Sequence, residues 1–292
     1  MLYDIGLTID YTYDPASGAG RHLLRLMPAT LAGHQRLIAG RLSVDPAPQE
    51  RRDGRDFWGN AVTEIAFRGG HERERFRLTA RVDCTAKAPE LDLSPPIERL
   101  AKELAEVRSL GPGAPHHFLG PSGRLRPWAE ATAYARAQLQ PGMTTLAVVE
   151  AVGQALHRDM TFDAEATTVD TDPAEAFARR EGVCQDFSQI MIAALRGLGV
   201  PAGYVSGFLR TTPPEGRERL AGADAMHAWV RAWCGIEAGW VAYDPTNAVL
   251  AATDHVVVAT GRDYEDVAPV RGVLRIAAAA QTRQEVDVIP LG

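Results

Sequence analysis

Arg180-Glu181-Gly182-Val183-Cys184-Gln185-Asp186-Phe187 leads into Ile190, Met191, Ala194, Leu195 and Leu198, and the run closes at Gly199 and Pro201. The three- and four-residue spacing of the apolar positions predicts a helix with one broad buried face, and it puts Cys184 in the first turn. A helix start has unpaired N–H groups and the positive end of the dipole, so it favours a thiolate without help from another side chain. The N–H of Cys184 is a candidate oxyanion donor, Gly182 would let a substrate backbone approach closely, and Gln185 is a candidate contact beside it. The same position also suits an inert packed thiol, because cysteine is among the most buried residue types.

Two later segments supply partners. In Met226-His227-Ala228-Trp229, strand alternation groups His227 with Trp229, Arg231 and Trp233 on one face. Asp244, in Tyr243-Asp244-Pro245-Thr246-Asn247, ends the next apolar run, in a context that also suits a turn-capping aspartate. A hairpin joins the two segments, and an even loop places both residues on one face. A two-residue loop at Gly235-Ile236 sets them directly opposite; a four-residue loop, Gly235 to Ala238, makes them diagonal neighbours within roughly 7–8 Å. A thiol, an imidazole and a carboxylate in these settings are the parts of a thiol acyl-transfer enzyme. Trp229 is a further candidate substrate contact, with core packing as its alternative.

Upstream, Tyr3, Ile5, Leu7, Ile9, Tyr11 and Tyr13 alternate with small or polar residues and predict a strand with one side on a core. Shorter strands are expected at 23–27, 37–44, 61–67 and 76–82. Asp53-Gly54, Gly59-Asn60 and Gly69-Gly70 read as turns. Residues 1–86 therefore read as a small antiparallel β domain, and the proline-rich stretch from Lys87 to Pro96 as a linker. Helical spacing follows at Ile97, Leu100, Leu104 and Val107, then at 127–138 and 145–158, and Asp172-Pro173 with Glu175 has the form of a helix cap. Strands are expected again at 202–210, 225–234, 240–244, 255–258, 273–276 and 285–289. Residues 97–292 thus read as one α+β unit, helices first and an antiparallel sheet after.

At 292 residues the chain can bury a full core, and 46% hydrophobic with 23% charged residues excludes wholesale disorder. A net charge of −6, with arginines scattered among acids, lacks the one-sided basic footprint of a nucleic-acid binder. Three cysteines without a CxxC spacing fit a reducing compartment better than a disulfide framework. The opening residues do not resemble a signal peptide and no apolar run reaches membrane-spanning length, so the expected location is the cytoplasm, with no membrane partner. Cys84 and Cys234 have poor contexts for a nucleophile. His116-His117 and His22 lack a ligand-spaced companion, so neither a metal nor a cofactor is expected. The arginine-rich runs 51–55 and 73–77 read as solvated faces.

These blocks together resemble the transglutaminase-like superfamily, in particular its bacterial members with a β-rich N-terminal region. Gly182 to Phe187, Arg196 to Ala202, Tyr204 to Gly207, His227-Ala228-Trp229 and Gly239 through Asn247 are similar to the family's nucleophile, histidine and aspartate motifs. Gly261-Arg262-Asp263-Tyr264, Asp266 to Pro269 and Arg271-Gly272 match its C-terminal signature, and Phe57 to Asn60 and Phe118 to Ser122 its upstream region. The resemblance implies a papain-like core in which Cys184 attacks an amide carbonyl, His227 exchanges protons and Asp244 holds the ring. It implies a peptide or protein substrate and, as acceptor, water or a primary amine. Hydrolysis is the favoured outcome, because transfer to an amine requires water to be excluded. The alternative is a non-catalytic peptide- or protein-binding module on the same fold. Ser188-Gln189 departs from the alanine-histidine pair frequent in such relatives, no side chain stands out as a second oxyanion donor, and the oligomeric state is open.

Overall fold

The computed structural model describes every residue except 86–90, 212–223, 275–279 and 292. The alternating stretch at the start forms β1 (Leu2–Tyr13), with Tyr3, Ile5, Leu7 and Ile9 buried. It is followed by β2 (Gly20–Leu24), β3 (Gln35–Asp45), β4 (Glu50–Arg55), β5 (Ala61–Phe67) and β6 (Arg73–Cys84). Helices α1 (Ile97–Glu106), α2 (Ala129–Arg136) and α3 (Thr145–Asp159) come next, then β7 (Thr161–Phe162), α4 (Pro173–Arg179), β8 (Glu181–Gly182) and α5 (Cys184–Gly197). The chain ends with β9 (Ala202–Leu209), β10 (Ala225–Trp233), β11 (Trp240–Asp244), β12 (Val249–Leu250), β13 (His255–Gly261), α6 (Tyr264–Val267), β14 (Val270–Leu274) and β15 (Ala280–Leu291). The fold is α+β, as the element order predicts.

The core sheet runs β12-β11-β10-β9-β13 and is antiparallel throughout. Helix α5 packs on β9 and β10, and α2, α3 and α4 pack on α5. Its face of Phe187, Ile190, Met191, Ala194 and Leu195 is buried in one cluster with Tyr204, Phe208, Ala228, Val230 and Ala232. Fully burying each large side chain of this kind stabilises by about 1.5–3 kcal/mol, so the helix bearing Cys184 is anchored along its length. Asp172 caps α4 as expected, accepting from the Ala174 N–H at 2.8 Å, with Pro173 in the first turn.

Two four-stranded sheets, β15-β1-β6-β3 and β14-β2-β5-β4, form the β-rich region. Two sequence expectations change here. Asp53-Gly54 is not a turn: it lies inside β4, opposite Thr63 and Val62. The fully exposed, charged β4 is the edge of its sheet, where charges guard against further pairing, and the Thr63 hydroxyl donates to Asp53 at 2.5 Å. The strands near 273 and 285 do not extend the core sheet either. β14 pairs with β2, and β15 with β1 along its whole length, so the end of the chain returns to the sheets of its beginning. Such long-range pairing leaves no trace in local sequence.

The β-rich region also covers an edge of the core sheet. The Gln35 side-chain amide donates to the Val257 carbonyl at 2.7 Å and accepts from the Val257 N–H at 2.8 Å. Asn60 does the same to Thr260, at 2.9 and 2.8 Å. Two amide side chains thus mimic a missing strand along β13, satisfying backbone groups that would otherwise invite edge pairing.

Candidate active site

Cys184 is the first residue of α5 and is partly exposed. Its N–H, at the head of the helix, has no intrahelical acceptor. The helix start is held from behind by Asp186, whose carboxylate accepts from the Val183 N–H at 2.9 Å and from the Thr167 hydroxyl at 2.6 Å. The close approach that Gly182 permits is to this carboxylate, since a Cβ there would lie 2.8 Å from Asp186 Oδ2. Burial raises the Asp186 pKa, opposed by the Thr167 and Val183 hydrogen bonds.

The hairpin has the longer of the two loops considered from sequence. Trp233 pairs with Trp240 and Val230 with Tyr243, while the Cys234 N–H donates to the Gly239 carbonyl at 2.8 Å around residues 235–238. One step beyond the last pair, Asp244 comes level with Trp229 and diagonal to His227. The diagonal suffices, because His227 Nε2 lies 2.8 Å from Asp244 Oδ2. Cys184 acts on the same ring, and its influence adds to that of Asp244 in raising the His227 pKa.

Asp244 is wholly buried and accepts five hydrogen bonds. Oδ1 takes the N–H groups of Thr246 and Asn247 at 2.9 and 3.2 Å, so this aspartate caps a turn as well as holding a ring. Oδ2 takes His227, the Asn247 side-chain amide at 2.7 Å and His255 Nε2 at 3.1 Å. Burial alone would raise its pKa, but the hydrogen bonds of both histidines, the charge of His227 and Asn247 hold it well below the usual carboxylate range. Burial would lower His227, yet the hydrogen bonds of Asp244 and Cys184 and their charge push it up to about 10. By contrast, burial pushes the Cys84 thiol up to about 11 and that of Cys234 to about 12, the settings of inert structural thiols.

The other expected contacts lie elsewhere. Gln185 is buried and its Nε2 donates to the Val169 carbonyl at 3.3 Å, tying α5 to the loop before α4. Trp229, read from sequence as a substrate contact, is 1% exposed and is a packing residue. Its indole covers Gly207, where a Cβ would lie 2.6 Å from the ring, and it sits 5.1 Å from the His255 ring and 6.1 Å from that of His227. It walls the histidines off on one side. Ser188 and Gln189 are fully buried, and their side-chain polar atoms lack hydrogen-bond partners, so this departure from the family pattern sits in the core.

His255 and Asn247 were not singled out from sequence. Asn247 had a signal, since a turn former three residues after a carboxylate often folds back on it. His255 had none. His227, Asp244 and His255 have their ligand atoms within 4.8 Å of one another, a spacing that metal ligands also show. Both rings, however, aim at one oxygen, as two donors do on one acceptor.

A helix bearing a partly exposed thiol at its start, packed on an antiparallel sheet that holds a histidine–aspartate pair on neighbouring strands, is the architecture of papain-like folds. Residues 132–245 match the model of the transglutaminase-like superfamily, and residues 3–83 that of the bacterial transglutaminase-like N-terminal region. The chain belongs to the transglutaminase-like superfamily. It is 34% identical over 260 residues to an uncharacterized protein of Mycobacterium tuberculosis, covering 88% of this chain and 82% of the relative. It is 29% identical over 285 residues to an uncharacterized protein of Mycobacterium leprae, covering 96% of each. The crystal structure of a candidate cysteine protease from Cytophaga hutchinsonii superposes with a TM-score of 0.77 at 20% identity, covering 100% of this chain and 91% of that one, a likeness of fold.

Proposed function

We propose that the protein is a thiol acyl-transfer enzyme that cleaves or transfers a peptide, isopeptide or γ-glutamyl-type amide, with Cys184 as nucleophile, His227 as proton carrier and Asp244 as the group that holds the ring. One observation carries the reading: a single buried imidazole is held at one nitrogen by a carboxylate 2.8 Å away, and the thiol that starts α5 helps to raise its pKa. In the first half-reaction the proton given up by the Cys184 thiol is held on His227, and the sulfur attacks the amide carbonyl. The Cys184 N–H faces the developing oxyanion, and the imidazolium then protonates the departing amine. Water or a primary amine releases the acyl group from the thioester, with His227 taking the acceptor's proton. Neither a cofactor nor a metal enters these steps.

Hydrolysis is the favoured outcome, because Cys184 is partly open to solvent and water is the most abundant acceptor. A peptide or protein is the proposed substrate. The cytoplasm is the proposed setting, supported by three free cysteines, one of which must stay reduced to react. No helix among the described residues is long and apolar enough to cross a membrane.

A mass-spectrometric assay on glutamine-containing peptides, with and without a primary amine, tests both levels. The wild-type protein is expected to give the hydrolysed product and a transient acyl adduct on Cys184, and Cys184→Ala neither. Undiminished turnover in Cys184→Ala would remove the nucleophile assignment. Incorporation of the amine to the exclusion of water would overturn the preference for hydrolysis alone.

A further inference from the structure

His255 opens β13, at the far edge of the core sheet from β11, yet its ring reaches Asp244. The Ala252 N–H donates to its Nδ1 at 3.3 Å, which leaves Nε2 as the nitrogen that carries the proton, and Nε2 points at Asp244 Oδ2 from 3.1 Å. The side chain is 7% exposed, and Trp229 meets its ring edge-on. The tautomer, the aim and the enclosure of this ring are therefore all fixed by named neighbours. We propose that His255 is a positioning residue that acts through Asp244: its Nε2–H, with Asn247, pins Oδ2 in the one orientation that keeps His227 facing Cys184.

The choice of group has a physical reason. During the proposed cycle His227 alternates between neutral and cationic, and Asp244 must stay in place through both. An arginine or lysine there would hold the carboxylate but would also offset the negative charge that stabilises the imidazolium. An imidazole donating through Nε2–H fixes the oxygen through a rigid planar donor and adds no formal charge. Turn amides hold only Oδ1, so without His255 the oxygen that faces His227 would rest on Asn247 alone.

This inference rests on the acyl-transfer reading, and a substrate-free probe separates the two. The second-order rate of Cys184 alkylation by iodoacetamide, followed by peptide mass spectrometry, reports on the ring that faces the sulfur. His255→Phe keeps volume but loses the donor, and it is expected to slow alkylation about tenfold, the size of a lost hydrogen bond to a charged group. His255→Gln presents an amide N–H in place of Nε2 and is expected to restore the rate to within about threefold. In an Asp244→Asn background, His255→Phe should add nothing, because a residue acting through another gives a non-additive cycle. Wild-type rates in His255→Phe, or a full further loss on top of Asp244→Asn, would overturn the inference while leaving the nucleophile in place. Wild-type rates in His227→Ala would bring down the acyl-transfer reading and this inference together. Should His255→Phe not fold, His255→Asn, polar but too short to reach Oδ2, takes its place with the same expected loss.

Discussion

Among the described residues, two buried carboxylates each hold a pair of histidines, Glu74 in the β-rich region and Asp244 in the core, and of these only Asp244 shares a histidine with a thiol. In the β-rich region, Glu74 on β6 meets His22 on β2 at 3.1–3.2 Å, His71 in the preceding loop and the Tyr13 hydroxyl at 3.0 Å, with no exposed surface of its own. In the core, Asp244 meets His227 and His255 at 2.8 and 3.1 Å. Both carboxyls are held below their ordinary range by these partners, against burial. The difference lies in what completes each cluster. Glu74 is closed by a phenol whose own pKa burial and Glu74 push up, so that it stays protonated, whereas the imidazole on Asp244 passes the carboxylate's influence to a partly exposed sulfur. Perturbed titration alone therefore marks no site; a nucleophile with access to solvent is also needed.

Removing the charge at each carboxylate in turn tests this contrast, and the largest effect is expected at Asp244. Asp244→Asn should lower turnover by about 10²–10⁴, as misorientation of a catalytic imidazole does elsewhere. It should also drop the His227 pKa from about 10, readable by NMR titration of the ring. Glu74→Gln should leave Cys184 alkylation at the wild-type rate. Equal losses at the two carboxylates would break the distinction.

At Glu74 the expected effect is on stability. Replacing this buried, triply hydrogen-bonded carboxylate by an amide is expected to cost about 1.5–3 kcal/mol at neutral pH, measured by urea unfolding. Because its folded pKa lies below the unfolded value, Glu74 stabilises above the unfolded pKa of about 4.3 and loses that contribution as the pH falls through the folded pKa. The variant should therefore lose less stability than the wild type on acidification. A variant with an unchanged acid limb would mean that the histidines hold Glu74 no more tightly in the folded than in the unfolded chain. The raised His227 works in the opposite direction: its contribution is full below about 6.5 and fades as the pH rises through about 10.

The two clusters also differ in how far sequence reveals them. Cys184 and His227 each stand in a segment whose local period fixes where the side chain goes, and the parity of one hairpin loop brings Asp244 to the same face as His227. Short-range rules suffice there, so the helix start and the shared strand face were legible, while the choice between a direct and a diagonal pair waited on the loop length that the structure supplies. The Glu74 cluster joins β2, β6 and a loop from two different sheets, and His22 looked companionless because its partner Glu74 lies 52 residues away. His255 was hidden for a similar reason, since it approaches Asp244 from the opposite edge of the sheet, on a strand with a bulge between Val257 and Ala259. The returning strands β14 and β15 had readable strand character but no readable partner, because nothing local distinguishes pairing with β1 from extending the nearer sheet.

Asp186 sharpens the comparison with the smallest effect. It is a third buried carboxylate, beside Cys184, and no histidine hydrogen-bonds to it among the described residues; burial carries its pKa up where the other two go down. Its linkage therefore runs the other way. A carboxyl raised in the folded state contributes most below its unfolded pKa of about 3.9 and loses that contribution as the pH rises through the folded value. Thr167 is the hydroxyl that offsets this cost when Asp186 is ionised, donating to Oδ2 at 2.6 Å. Thr167→Val is expected to destabilise by about 1 kcal/mol at pH 7, the net worth of one hydrogen bond. The loss should shrink at pH 4, where more of Asp186 is protonated and less charge needs the donor. Urea unfolding at the two pH values decides it: a loss that stays constant would mean that Thr167 supports Asp186 by packing, and that this carboxylate differs from Asp244 and Glu74 in its partners but not in its charge.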